Sequence, residues 1–180
     1  MLRATLLILA VGIPMSVRSP QEDVIQKELK RLDVPASLVP QGKQPLLLFR
    51  AEGVQTYTAE EKEGKLQWAS PSIPEAKLFD YRTGEQVGTH SKGPIWQDMS
   101  GSKISKIKDS KPVSTPAPNA SAIPWLLIDV KSDSGERFAK VTNVQRVDTW
   151  GGLAPEAAPK KAGDTQSVKY EATYVLLGDK

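Results

Sequence analysis

Hydrophobic and polar positions along the chain fall into two rhythms. In "SPQEDVIQKELKRLDVP", Ile25, Leu29 and Leu32 recur at three- and four-residue spacing with charges between them, which predicts a short amphipathic helix. Ser19 and Glu22 stand at capping-box spacing, and Pro20 suits the first helical position. From Gln44 onward the rhythm shortens to alternation. "QPLLLFRA" and "VQTYT" read as strands on either side of a turn or bulge at Glu52-Gly53. "LQWA", "AKLFD", "EQVGTH", "PIWQ" and "SKISKI" follow, separated by Glu63-Gly64, Ser70-Pro71, Thr83-Gly84, Lys92-Gly93-Pro94 and Ser100-Gly101. Short strands punctuated every eight to twelve residues predict an all-β, mainly antiparallel fold, a sandwich or a barrel of about 9–10 short strands.

The Pro-, Ser- and Ala-rich stretch at 109–122 interrupts this rhythm and reads as a surface loop. Within it, Asn119-Ala120-Ser121 has the spacing of a glycosylation acceptor in a eukaryotic source. "IPWLLIDVK" is a continuous apolar run, suited to a strand buried on both faces. In "RFAKVTNVQRVDT" the apolar residues recur every three positions, and β-branched content decides for a strand with a bulge. "EAAPKKAGDTQ" is a connector, and "SVKYEATYVLL" alternates as the last strand. The expected organisation is a leader at 1–19, a helical arm at 20–34 and one β domain at 35–180.

Composition adds a compartment. "MLRATLLILAVGIPM" places Arg3 ahead of an apolar run too short to span a bilayer, the pattern of a signal peptide, with an uncleaved anchor as the alternative. Loss of Arg3 and Arg18 with the leader would lower the net charge from +3 to about +1. No concentrated basic face argues for a nucleic-acid partner, and Lys103, Lys106, Lys108 and Lys111 read as solvated surface. The chain contains no cysteine, which excludes disulfides, a lipid-bearing cysteine and thiol catalysis. A secreted or periplasmic protein is expected, without stable membrane insertion once the leader is gone.

The candidate chemistry centres on His90, the only histidine. A metal there would need carboxylates such as Asp80, Glu85 and Asp98 to complete it, and one-histidine zinc is uncommon, so no metal and no cofactor are expected. As a general base His90 would need a nucleophile, and no G-x-S-x-G motif supplies one. The plainer reading has His90 bonded to loop carbonyls and ordering the bend before Gly93-Pro94. Gln55, Tyr57, His90, Trp96, Gln145 and Arg146 together make the candidate pocket, polar groups among aromatics as in sites for small molecules or sugars. Trp125 and Trp68 read as core; Trp96 and Trp150, beside turns, read as candidates for a stacking surface.

The succession "PASLVP", "GVQTY", "AKLFD", "VGTH", "GPIW", "IPWLLI" and "VTNVQRVDTWGGLAP" resembles the domain-of-unknown-function 3455 family over Pro35 to Leu177. The resemblance implies an exported protein without an established activity. Family members often carry two cysteines, near the positions of Ala59 and Ala158, and both are missing here. The malate dehydrogenase label borne by some relatives finds no support, since no G-x-G-x-x-G follows a strand. The expected function is non-catalytic binding of a small molecule or glycan. The alternatives are a His90-dependent hydrolase or lyase, with Arg146 holding an anion, and a structural protein of the cell envelope.

Overall fold

The computed structural model describes residues 20–180; the expected leader and the Ser19 cap lie outside the described residues. Helix α1 (Pro20–Leu32) and a single 3₁₀ turn at Ala36–Leu38 precede ten strands. These are β1 (Lys43–Lys62), β2 (Lys65–Trp68), β3 (Ile73–Asp80), β4 (Gln86–Ser91), β5 (Ile95–Asp98), β6 (Lys103–Lys106), β7 (Val113–Thr115), β8 (Trp125–Ser134), β9 (Val141–Gly151) and β10 (Thr165–Asp179). Neighbours pair antiparallel in the order β10-β9-β8-β6-β5-β4-β3-β1, and β10 pairs again with β1, so the sheet closes into a barrel. Closure leaves no free edge around this ring. β2 extends β1 as a hairpin beyond the wall, and β7 adds to the outer end of β8.

β1 and β10, of 20 and 15 residues, depart most from the expected short lengths. β1 runs 20 residues through Glu52-Gly53 without turning. Gly53 is instead a point of close approach. A Cβ there would stand 2.1 Å from the Glu75 carbonyl oxygen and 2.6 Å from the Ala76 Cβ. Glycine inside a strand serves such a tight bend in a barrel wall. The turn expected at Glu63-Gly64 is present there, both residues having positive φ and joining β1 to β2. β7, a three-residue strand, interrupts the 109–122 loop.

Side-chain alternation divides the apolar residues into two layers. Phe49, Ala51, Leu78, Trp96, Ile104, Ile128, Val130, Val144, Tyr174 and Leu176 fill the barrel. Leu48, Trp125, Leu127, Val147, Val175 and Leu177 point the other way, where Ile25 and Leu32 of α1 and Leu38 of the 3₁₀ turn cover them. This outer cover explains why the start of β8, residues 125–128, and residues 172–178 of β10 are buried on both faces. Charge fixes the helix in place: Arg31 bonds Glu28 and also Asp148 at 2.8 Å. Asp148 has φ 49°, at the expected bulge of β9. Burial pushes the Glu28 carboxyl up, but hydrogen bonds from Arg31 and Tyr81 outweigh it and leave its pKa lowered.

One end of the barrel is plugged. Phe138 is fully buried against Phe49, ring centroids 6.2 Å apart, and its N–H donates to Ser102 Oγ. Asp98 organises the same end, accepting hydrogen bonds from the Ser100 and Ser102 N–H groups at 3.0 and 2.8 Å. The other end is open.

Candidate functional site

The open end is built from the ends of strands that the alternation turns inward. Gln55 and Tyr57 come from β1, Pro74 from β3, His90 from β4, Leu126 and Ile128 from β8, Arg146 from β9 and Tyr174 from β10. With Lys106, Ser72 and several prolines they line a cavity of about 410 Å³. An eight-stranded barrel has an interior wide enough for side chains or one small ligand. Here the lower part is filled and the mouth is not.

Four of the six residues expected to form a site converge there. Tyr57 donates to the Gly152 carbonyl at 2.6 Å. Gly152 has φ +80°, and a Cβ on it would meet Tyr170, Ile123 and Gln55, so glycine lets that turn sit against the mouth. Gln55 accepts a hydrogen bond from Ser72 Oγ at 2.7 Å, while its Nε2 is buried and has no partner. An unmade hydrogen bond of this kind costs about 1–3 kcal/mol. Arg146 sends Nε and Nη2 to the Pro124 carbonyl at 3.2 and 2.9 Å.

His90 is 3% exposed and bonds the Ile95 carbonyl through Nδ1 at 2.9 Å. It therefore spans the β4–β5 hairpin and orders the Gly93-Pro94 bend. Its ring stacks on Trp96, centroids 4.4 Å apart and planes 14° apart, and meets the edge of Tyr174 at 5.2 Å. Burial pushes its pKa down to about 3; the Arg146 charge pushes the same way and the Ile95 bond opposes. The imidazole is neutral across the physiological range. Burial likewise raises the Tyr174 phenol.

The other two expected site residues lie elsewhere. Gln145 precedes Arg146 in one strand, so their side chains point to opposite faces. Arg146 turns into the mouth, and Gln145 turns outward under α1, donating to the Leu38 carbonyl at 2.6 Å. Trp96 is fully buried beneath His90 and offers no stacking surface, because its β5 position alternates inward. Trp125 is core, in the outer layer. Trp68 is only half buried, its Nε1 donating to the Ala157 carbonyl. Trp150 is exposed.

Lys106 was the residue the sequence concealed, since its basic neighbourhood reads as solvated surface. It lines the mouth and donates through Nζ to the Ile107 and Lys108 carbonyls at 3.0 and 3.2 Å. Its inward register follows from the pairing of β6 with β5 and β8, which no local pattern announces. Among the described residues, no group of three or more His, Asp or Glu side chains is placed to hold a metal ion. Asp80, an expected carboxylate for any metal at His90, accepts instead from the Arg82 and Thr83 N–H groups of its own turn.

A larger depression of about 690 Å³ lies against the wall around Gly53, Glu75 and Lys77. It is open, and no unpartnered buried polar atom belongs to its lining. The barrel mouth is the better candidate on both counts.

The family model described as "Protein of unknown function (DUF3455)" matches residues 40–178. No curated protein and no solved structure matches the chain.

Proposed function

Since the chain belongs to the DUF3455 family, whose description assigns no activity, the functional reading rests on the barrel mouth, and we propose that the protein binds a small molecule there without chemistry. The unpartnered Gln55 Nε2, buried within the lining of a 410 Å³ cavity, carries this reading. A buried donor left without a partner in the lining of a cavity is one that a ligand acceptor can complete. The apolar share of the lining, with Pro74, Pro94, Ile123, Leu126, Ile128 and Tyr174, supplies contact area for an apolar body.

A glycan is less well served. Sugar sites use exposed aromatic faces, and Trp96 is sealed under His90 while Trp150 stands outside the lining. A His90-dependent enzyme is also less well served, because an imidazole with a pKa near 3 is a weak base at neutral pH. Export belongs to the same proposal, supported by Arg3 and the apolar run that follows it. Sequencing the amino terminus of protein recovered from the medium or periplasm tests that part.

Thermal-shift screening of organic acids, lipids and sugars tests the binding itself. A ligand at 100 times its Kd adds about 2.7 kcal/mol, or about 5–10 °C for a chain of this size. Leu126→Trp, which fills the mouth, should abolish the shift. A shift that persists in Leu126→Trp would move the site elsewhere.

A further inference from the structure

The charges at the mouth select the kind of ligand. Two cationic side chains, Arg146 and Lys106, line it, and no aspartate or glutamate does. Each cation is held by neutral carbonyl oxygens, Arg146 by that of Pro124 and Lys106 by those of Ile107 and Lys108. Neither forms an ion pair among the described residues. A carbonyl fixes the position of a cation and leaves its charge uncancelled. Arg146 also bonds the Tyr174 hydroxyl, and the donors of the five-donor guanidinium beyond these contacts, with the free Gln55 amide hydrogens, call for acceptors. Low-dielectric walls around such charges concentrate their field at the opening.

Resting on the reading of the mouth as a small-molecule site, we infer that its ligand is an organic anion: an apolar body carrying one oxyanion group, carboxylate, sulfonate or phosphate. The oxyanion meets Arg146 and Lys106 at the rim and accepts from Gln55. The apolar body lies against Leu126, Ile128 and the prolines. Arginine is suited to this task because its planar donors match a two-oxygen acceptor.

Two fluorescent probes that differ only in charge test the inference on the full chain. 8-Anilinonaphthalene-1-sulfonate carries the oxyanion, and N-phenyl-1-naphthylamine is the same skeleton without it. The wild-type protein should bind the sulfonate at least about tenfold more tightly. Arg146→Met should remove most of that advantage, reducing the ratio of the two affinities several-fold. Lys106→Met should act in the same direction. Should Arg146→Met fail to fold, the wild-type protein still decides: raising ionic strength should weaken the sulfonate and spare the neutral probe, since the Debye length falls from about 10 Å at 0.1 M to about 3 Å at 1 M. Equal affinities, or a sulfonate affinity indifferent to Arg146 and to salt, would overturn anion selection while leaving the mouth a binding site. Unchanged binding of both probes by Leu126→Trp would instead overturn the site itself.

Discussion

Acidification should expose the cost of keeping His90 neutral. The imidazole is 3% exposed, stacked on Trp96 and tied to the Ile95 carbonyl, with a pKa lowered from 6.5 to about 3. In the unfolded chain it titrates normally. Below about pH 6.5 the unfolded state therefore binds a proton that the folded state refuses, and stability falls as the pH drops. The loss approaches about 1.4 kcal/mol per pH unit and ends only near the folded pKa. Between about pH 7 and pH 4.5 it sums to about 2.5 kcal/mol, provided the folded pKa lies below that window. Carboxylates also titrate there, so the comparison is with His90→Gln, which keeps the volume and a donor for Ile95. Urea unfolding followed by circular dichroism at half-unit pH steps gives both curves. His90→Gln should be less stable at pH 7, by about 1–3 kcal/mol for the disturbed hydrogen bond and packing. It should lose about 2.5 kcal/mol less on acidification, so that the curves converge. Parallel curves would mean that His90 protonates freely in the folded state, and the sealed stack would be wrong.

Other substitutions separate wall, arm and mouth. Gly53→Ala drives a methyl into the Glu75 backbone and should cost about 3 kcal/mol, the top of the range for overpacking, read as a lower melting temperature; an unchanged melting temperature would deny the close approach. Gln145→Met strips the Leu38 carbonyl of its partner and should cost about 1–2 kcal/mol in urea unfolding with no change in probe affinity, and a weakened probe would return Gln145 to the mouth. Asp98→Ala leaves the Ser100 and Ser102 amides without their acceptor and should cost about 3 kcal/mol by the same measurement, whereas a cost under about 1 kcal/mol would show that the plugged end does not depend on it.

Much of the barrel was legible because alternation and turn residues act locally. The hairpins from Ile73 to Lys106 follow turn signals that any strand reading uses. Gly53 misled that reading, since a glycine beside a glutamate signals a turn as readily as a pinch in a wall. Only the partner strand, with Ala76 opposite, distinguishes the two. Closure of β10 on β1 joins residues more than a hundred positions apart, and sandwich and barrel share every local signal. Among site residues, parity within β1 placed Gln55 and Tyr57 together. The same parity, applied to Gln145 and Arg146, separates them. Lys106 required the register of β6, and Trp96 required knowing which face of β5 is the inside.

The claim that the mouth takes an organic anion is tested most directly by a nitrogen-15 NMR titration of the wild-type protein with 8-anilinonaphthalene-1-sulfonate. Gln145 serves as an internal control, one residue from Arg146 in sequence and on the opposite face of the wall. The Gln55 side-chain amide and the Arg146 Nε–H should move together with one Kd, while the Gln145 amide stays in place. Movement of Gln145 with Gln55 and Arg146 at rest would contradict it.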